Sequence, residues 1–554
     1  MTAGTAVADI GGYPLSAEDA TLWQTAAAAA GRGDPAGAAA AMHTLMERRP
    51  DLLPAGIQAA HFLAAAGAWR DAETTALAGA ASCRAQPPRS PDMAAALVKL
   101  LRQFEAHPQM ADVVDGMDWN TCRDPGLLVD LVQTLAPLGL YPQAERLLAR
   151  AEALAPGHPQ LEYVRGIFAF VRGDAATSEQ HLARAAAALP ARAAHIGWLR
   201  AMQAERSNPE TLRTQITALR AARTAPGSED AAFRAFGLHQ LLHALGDHAA
   251  AWDALTEANA IKAASNRYNR DTDTTLFTAL HALPPSVAGA QTQADPGPLP
   301  PTRTLFIVGM HRSGTSVLER VLAGHSHVMD GGENHVFPAA MRSATNHRGE
   351  GIIDATMVER AARLDDAEWA AIGRRMDAYA AWRAQGKTWF VEKLPPNALH
   401  VGFILRAMPH ARVVWMQRDP VDTCFSNLRT YFADGIAPYA NDQRDLADYR
   451  LRHDALMTHW LTRAEGRMLR LDYADFIADP DTQTRRVCTA LDLAFEPDML
   501  EVGRDAGYTA TASIAQVRRG ILRDRGGAWR PYAAWLHPLL EGLGIASDQA
   551  TDPR

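Results

Sequence analysis

The sequence has few cysteines and no excess of basic residues. Its four cysteines, Cys83, Cys122, Cys424 and Cys488, are far apart in a chain of 554 residues. Their spacing matches neither a disulfide framework nor a zinc site, and such scarcity is typical of a reducing compartment. The formal net charge of −7 excludes the basic surface of a general nucleic-acid binder. The positive charge that binds an anion is therefore expected to be confined to one small site.

Long apolar runs are also missing. No window approaches the roughly 18 uninterrupted apolar residues of a membrane-spanning helix. The first residues, MTAGTAVADIGG, place no basic segment before an apolar core. We therefore expect a cytoplasmic protein without a membrane span. Because 554 residues are too many for a single hydrophobic core, two or more domains are expected.

Residues 18–282 are rich in alanine and leucine and repeat with a period of 34 residues, as between Gly33 and Gly67 and between Gly139 and Gly173. In three copies a small residue follows the glycine after five positions and a proline follows after 17: Ala38 and Pro50, Ala144 and Pro156, Ser178 and Pro190. A later copy keeps the phase without the proline: Gly246, Ala251, Leu255 and Ala258. Small residues let two antiparallel helices pack closely, and the proline ends the second helix.

This pattern predicts an all-α, tetratricopeptide-like solenoid of about five to seven repeats. An irregular alanine-rich bundle is the alternative. A solenoid presents an extended surface that binds a peptide or protein, here either an acceptor substrate or a second copy of the chain in a homo-dimer. Residues 283–302 hold six prolines and no apolar periodicity, which predicts a linker to a second domain at 303–545.

The second domain begins with LFIVGMHRSGTSVLERVL, from Leu305 to Leu322. An apolar run, a glycine-bounded loop and apolar residues at helical spacing predict a strand, an anion-binding loop and a helix. Gly309 and Gly314 have the spacing of a nucleotide-binding loop, but Thr315 stands where ATP enzymes have lysine. Arg312 can supply positive charge without a metal, because guanidinium binds phosphate-type oxygens in pairs. A plain surface turn is the alternative.

HRSGTSVLERVL resembles the 5′-phosphosulfate loop of sulfotransferases that use 3′-phosphoadenosine 5′-phosphosulfate (PAPS). The likeness is to the tyrosylprotein sulfotransferase branch and its bacterial, tetratricopeptide-bearing relatives, and it covers about residues 303–535. It implies a P-loop-like α/β domain with a mostly parallel sheet, PAPS as donor, and no metal. It assigns PAPS contacts to the loop residues Arg312, Ser313, Gly314, Thr315 and Ser316.

Two further segments carry charged residues at predicted strand ends. Glu333 follows a short strand candidate at Val328–Met329, and a carboxylate there is either a general base or a solvated turn residue. Lys393, in FVEKLPPNA, follows a strand candidate at Trp389–Val391. The resemblance makes Glu333 the general base and places Lys393 at the oxygen that bridges sulfur and phosphorus, with Arg312 assisting. Four histidines remain rival bases: His311, His325, His327 and His335.

The strand candidate Ala411–Met416 is followed by Arg418 and, eight residues later, by Ser426. This arginine–serine pair resembles the 3′-phosphate motif of the same family. Further on, TASIAQVRRGILRDRGGAWRPY resembles the C-terminal lid over the nucleotide, with Trp529 as its aromatic anchor. There the resemblance assigns cofactor contacts to Ser513, Gln516, Arg519, Arg523 and Arg525.

These segments together predict a sulfotransferase that moves a sulfuryl group from PAPS to an acceptor hydroxyl. A protein or peptide tyrosine is favoured by the repeat region and by a glutamate base, while carbohydrate and small-molecule hydroxyls stay open. A nucleoside or sugar kinase would need the loop lysine that is missing. A non-catalytic repeat scaffold would be expected to have lost some of the five charged and polar positions Arg312, Glu333, Lys393, Arg418 and Ser426.

Overall fold

The structure, a computed structural model, describes residues 8–204, 208–284, 298–501 and 526–546. The chain forms two compact units. The first comprises Met1–Leu161 and Asn334–Trp382, and the second comprises Glu162–Glu333 and Arg383–Arg554. The domain boundaries drawn from composition, 18–282, 283–302 and 303–545, remain a prediction. In the described residues, no helix is both long and apolar enough to cross a membrane.

The region before the predicted linker is helical throughout its described part, apart from an antiparallel pair of short strands, β1 (Ala8–Ile10) and β2 (Tyr13–Leu15). Helices of the first unit are Ala17–Gly31, Pro35–Arg48, Leu53–Ala65, Trp69–Cys83, Pro91–Gln103, His107–Gly116, Pro125–Leu135, Tyr141–Leu154, Val336–Ala344 and Ala355–Ala361, and the helix Asp366–Ala384 ends two residues into the second unit. Pro159–Arg172 leads into the second unit, whose helices before the linker are Ala175–Ala188, Ala193–Gln203, Pro209–Ala221, Glu229–Leu245, His248–Ser265 and Arg270–His281.

The glycines that recur in the repeats of the sequence lie at equivalent positions in the helix pairs. The glycine between the two helices of a pair has a φ between +73° and +86°, a left-handed conformation that favours glycine, at Gly33, Gly67, Gly139, Gly173 and Gly246. The residue five positions later is fully buried in every case: Ala38, Ala72, Ala144, Ser178 and Ala251. A larger side chain there would push the paired helices apart. The tetratricopeptide-like architecture is therefore confirmed.

The second unit contains a five-stranded sheet in which every strand is parallel to its neighbours. Its strands are β3 (Arg303–Val308), β4 (Val328–Asp330), β5 (Trp389–Glu392), β6 (Arg412–Gln417) and β7 (Met468–Asp472). Their order across the sheet is β4-β5-β3-β6-β7. The mostly parallel α/β domain expected from the sequence is confirmed.

The sheet is buried by helices, which explains the continuous apolar strands. Leu305 and Ile307 of β3, Val391 of β5 and Val414 of β6 belong to one core that also includes Leu318 from the helix after β3. Helices of this region are Thr315–Ala323, Val401–Ala407, Pro420–Leu428, Gln443–Arg463, Tyr473–Ala478, Pro480–Ala490 and His537–Gly542. The core fixes the strands, so the loops at their carboxyl ends lie at one edge of the sheet.

That edge collects the segments that carry the predicted site. The glycine-bounded loop follows β3, Glu333 follows β4, Lys393 follows β5 and Arg418 follows β6. Ligands of open parallel sheets bind beyond the carboxyl ends of the strands, where neighbouring connections diverge. The central strand β3 is that point here, because β5 pairs on one side of it and β6 on the other.

Candidate functional site

The loop between β3 and the helix Thr315–Ala323 is compact and strained. Arg312 has a φ of +67°, a left-handed conformation that costs a residue with a side chain about 1–3 kcal/mol. Gly314, at the start of the helix, has a φ of +101°, and a Cβ there would lie 2.3 Å from the ring of Tyr473. A Cβ on Gly309 would lie 2.7 Å from the carbonyl oxygen of Met416. The backbone path therefore requires both glycines.

The polar groups of this loop suit an anion. Ser313 is buried, and its Oγ has no hydrogen-bond partner in the part of the chain that the structure describes. No described side chain caps the N-terminus of the helix Thr315–Ala323. Thr315 and Ser316 are buried in its first turn. Free backbone N–H groups and the helix dipole favour negative charge at this position, and a phosphate or sulfate oxygen would satisfy the hydroxyl.

Arg312, Arg418 and Ser426 meet beside the loop. The Nε of Arg312 donates to the Oγ of Ser426 at 3.2 Å. The guanidinium of Arg418 donates to the carbonyl oxygen of Arg312 at 3.3 Å and lies 4.9 Å from the centre of the Tyr473 ring. Two arginines and a serine from segments more than 100 residues apart in sequence thus converge, and their charges suit a ligand with two anionic groups.

Asp422 connects this cluster to the backbone at Gly527. Its carboxylate lies 3.9 Å from the guanidinium of Arg418 and accepts the N–H of Gly527 at 3.0 Å and 3.2 Å on its two oxygens. Burial raises the pKa of Asp422, and Arg418 only partly opposes this shift. Trp529, the expected aromatic anchor, is buried. The expected lid contacts Ser513, Gln516, Arg519, Arg523 and Arg525 lie outside the described residues.

Lys393, directly after β5, lies between the carboxylates of Glu333, which follows β4, and Glu319, which belongs to the helix after β3. Its side chain is completely buried and forms an ion pair with Glu333. A second carboxylate oxygen, Oε2 of Glu319, lies 3.6 Å from the Lys393 Nζ. Backbone contacts hold the two segments together, because the N–H of Lys393 donates to the carbonyl oxygen of Gly332 at 2.9 Å. The two residues predicted from separate motifs are therefore in direct contact.

Burial and charge act on the protonation of these groups. Burial alone would lower the pKa of Lys393, but the negative charges of Glu319 and Glu333 outweigh it and raise that pKa. Burial raises the pKa of Glu319 well above the usual range, and Lys393 opposes this shift only in part. Lys393 is therefore charged at neutral pH. Glu333 is the more accessible of the two carboxylates, with 35% of its side chain exposed compared with 2% for Glu319.

The four histidines occupy different places. His311, in the glycine-bounded loop, shares a hydrogen bond of 3.1 Å between its Nδ1 and the hydroxyl of Tyr439. His325 is buried and bonds the carbonyl oxygen of Ala494 through Nε2, and the ring of His327 lies beside it. His335 precedes the helix Val336–Ala344 and belongs to the first compact unit. The charges of Glu333 and Lys393 both act on the pKa of His311, although burial has the larger effect.

Three residues of this site were not predicted from the sequence: Glu319, Asp422 and Tyr439. Glu319 carried little signal, because a glutamate on an amphipathic helix ordinarily faces water and its burial beside Thr315 and Leu322 is seen only in the structure. Tyr439 carried none, since its contact with His311 spans 128 residues of sequence.

No group of three or more metal-ligating side chains is found among the described residues. Asn397 donates to Glu392 at 2.8 Å and so shapes the segment after Lys393.

Comparison with known proteins finds a family match in the second half of the chain. Residues 304–497 match the family model described as "Sulfotransferase family". An uncharacterized protein of Aquifex aeolicus is 28% identical over 333 residues, which are 57% of this chain and 42% of that protein. The chain thus spans less than half the length of that relative. A putative protein-tyrosine sulfotransferase of Caenorhabditis briggsae is 23% identical over 197 residues, 35% of this chain and 68% of that protein.

The solved structures that are similar to this chain include the sulfotransferase domain of the Synechococcus PCC 7002 olefin synthase. It is 17% identical to this chain, with a TM-score of 0.31, and the match covers 48% of this chain and 100% of that domain.

The protonation of His311 gives a test of the site. Burial lowers its pKa from the usual 6.5 to about 4, while the charge of Glu333 only partly opposes this. We expect the imidazole to stay neutral at pH 6 and to titrate near pH 4. The sign follows from linkage: the stability that a neutral His311 contributes is present above about pH 6.5 and is lost as the pH falls through about 4.

This expectation is measured by NMR titration of the chain carrying ¹³C-labelled histidine, with His311→Asn identifying the resonance. A midpoint at or above 6.5 would contradict it and would restore His311 as a competent base.

Proposed function

Residues 304–497 carry a sulfotransferase-family domain, and from this premise we propose that the protein transfers a sulfuryl group from PAPS to an acceptor hydroxyl. The observation that carries the proposal is the meeting of four sequence segments, those after β3, β4, β5 and β6, at one sheet edge. Arg312 contacts Ser426, Arg418 contacts Arg312, and Lys393 contacts Glu333. A degenerate domain would have no reason to keep a buried lysine paired at this place.

The residues present fit such a donor. The loop N–H groups, with Ser313, Gly314, Thr315 and Ser316, would hold the 5′-phosphosulfate. The unpartnered, buried Oγ of Ser313 supports this assignment. Arg418 and Ser426 would hold the 3′-phosphate. Charge-assisted hydrogen bonds from the guanidinium would then favour a nucleotide with a 3′-phosphate over one without it. The lid contacts proposed from the sequence are Ser513, Gln516, Arg519, Arg523 and Arg525.

When bound, PAPS supplies an activated sulfuryl group whose leaving group is a phosphate oxygen. In our proposal the protein does the remaining work by position and charge. Glu333 takes the proton of the acceptor hydroxyl, and its partial exposure leaves it within reach of an incoming substrate. Lys393 and Arg312 present positive charge to the oxygens on which negative charge develops. This scheme uses side-chain cations in the role that metal ions have in phosphoryl transfer.

The acceptor that we propose is a tyrosine of a protein or peptide. The Caenorhabditis briggsae relative described as a putative protein-tyrosine sulfotransferase supports this class. The tetratricopeptide-like helices supply a second argument, because stacked helix pairs offer an extended surface for a peptide. In this proposal the repeats hold the acceptor protein while its tyrosine reaches Glu333.

Transfer itself is tested with ³⁵S-labelled PAPS in buffer containing EDTA. We expect label to move to protein or peptide acceptors of a cell lysate, with the modified residue identified as tyrosine by mass spectrometry. Chelation should not reduce the rate. Label on carbohydrate alone would overturn the tyrosine assignment, and labelling that requires a divalent metal would overturn the proposed role of the arginines and Lys393.

Glu333→Gln separates the proton transfer from binding. The amide keeps the size of the side chain but cannot take a proton, so single-turnover rates should fall by about 10²–10⁴. Affinity for 3′,5′-adenosine bisphosphate should change little. The matched control is Glu359→Gln, which changes a glutamate with 66% side-chain exposure and should leave both quantities as in the wild type. Normal turnover in Glu333→Gln together with loss of turnover in His311→Asn would identify a histidine base instead.

A further inference from the structure

The helix His248–Ser265 has a polar side that is buried. Three of its polar residues follow one another at spacings of three and four, which places them on one side of the helix. They are Asn259, Lys262 and Asn266, of which the last directly follows the final turn. Between 2% and 9% of their surface is exposed. Because buried polar groups require partners, this polar stripe must bond to another element.

The two asparagines of the polar stripe bond the backbone of one segment, Leu428–Gly435. The Nδ2 of Asn259 donates to the carbonyl oxygen of Leu428 at 3.0 Å. The Oδ1 of Asn266 accepts the N–H of Gly435 at 3.1 Å. These are the first and last residues of the segment, so one helix holds both of its ends.

Lys262 supplies the charge of the polar stripe. Its ammonium pairs with the carboxylate of Asp434 and lies 4.9 Å from the centre of the Tyr431 ring, which is within the range of a cation–π interaction. Only 3% of the Lys262 side chain is exposed, compared with 59% of that of Asp434. Such a pair adds little net stability because the ammonium loses its hydration, but it fixes where the segment lies.

Three consecutive residues connect the polar stripe to the glycine-bounded loop. The first, Ser426, accepts the Nε–H of Arg312 at 3.2 Å. The second, Asn427, donates to the carbonyl oxygen of His311 at 2.7 Å. The third, Leu428, is the residue whose carbonyl oxygen Asn259 bonds. Because all three belong to the last turn of the helix Pro420–Leu428, a displacement of the third also moves the other two.

We propose that the helix His248–Ser265, which the repeat spacing assigns to the solenoid, is also a positioning element of the donor site. The polar stripe holds the segment Leu428–Gly435, and this keeps Ser426 at the place where the 3′-phosphate would bind. The premise is the proposed binding of PAPS at this site. The last repeat helices thus complete the donor site, in addition to offering a surface to a peptide.

Lys262→Met in the full chain is the direct test. Methionine keeps an unbranched apolar stem in the buried place and leaves Asp434 hydrated, so the Tm should not fall. The Kd of 3′,5′-adenosine bisphosphate, measured by calorimetry, should rise about five- to tenfold, the worth of one ordinary hydrogen bond. The KM for PAPS should rise by a similar factor while kcat stays within about twofold, since the residues proposed for proton transfer are untouched.

The matched control is Lys99→Met. Lys99 also pairs with an aspartate from a helix of the repeats, at 3.3 Å from Asp130, but 48% of its side chain is exposed. This variant should bind the bisphosphate as the wild type does. Adding Asp434→Asn to Lys262→Met should change the Kd by less than about twofold, because in this proposal Asp434 acts only through Lys262.

Asn259→Ala tests the polar stripe through a different contact, and it replaces Lys262→Met should that variant not fold. The Kd of the bisphosphate should again rise several-fold. The resonance of His311 in ¹³C-histidine-labelled protein, recorded at pH 7 without nucleotide, should shift in Asn259→Ala and in Lys262→Met. It should not shift in Lys99→Met.

A wild-type chain that binds the bisphosphate, together with Lys262→Met and Asn259→Ala variants that bind it equally well, would overturn the positioning role alone. A Kd that rises only together with a lower Tm would also overturn it, because this would show a general loosening of the fold. A wild-type chain that does not bind the bisphosphate would instead refute the proposed function, and the positioning role with it.

Discussion

Burying the charge of Lys393 is the constraint that organises the sheet edge. A fully buried ammonium without a partner would cost several kcal/mol, so the fold must bring carboxylates to it. Glu333 comes from the segment after β4 and Glu319 from the helix after β3. One buried cation therefore ties together the ends of three strands. The same contact places a partly exposed carboxylate beside a fixed positive charge, which is the pair that the proposed transfer uses.

The arginine cluster depends in turn on the strained loop. Arg312 can point its Nε to Ser426 because the backbone at residue 312 takes the left-handed conformation. The helical part of the second unit holds the segment that follows Ser426: Asn259 donates to the carbonyl oxygen of Leu428 at 3.0 Å, and Lys262 pairs with Asp434. Helices before the predicted linker therefore help to position the candidate anion site.

Much of this architecture could be predicted from local patterns. Four of the five strands of the parallel sheet, β3 to β6, were predicted to within two residues because buried parallel strands are continuous apolar runs. The glycines that recur in the repeats predicted the helix pairs, since each of them forms the left-handed turn between the two helices of a pair. The pairing of Arg418 with Ser426 was read from their spacing, and the structure brings both to Arg312. These features are local in sequence, and the resemblance supplied their roles.

What could not be predicted arises from contacts distant in sequence. Glu319 stands on an amphipathic helix where a glutamate ordinarily faces water, and its burial follows from the arrival of Lys393 from a strand 74 residues later. The Tyr439 hydroxyl meets His311 across 128 residues of sequence, which no local pattern predicts. The assignment of Asn334–Trp382 to the first compact unit likewise has no counterpart in composition or periodicity.

Calorimetry of nucleotide binding in EDTA tests most directly whether the site binds a nucleotide with two phosphate groups without a metal. If the chain binds PAPS as proposed, 3′,5′-adenosine bisphosphate binds without metal and more tightly than adenosine 5′-monophosphate. Arg418→Ala should weaken the bisphosphate roughly ten- to a hundredfold, the worth of a charge-assisted bond, and leave the monophosphate unchanged. Arg485→Ala, which removes an arginine with 56% side-chain exposure, is the control. Equal weakening of both nucleotides by Arg418→Ala, or binding that requires a divalent metal, would contradict the account.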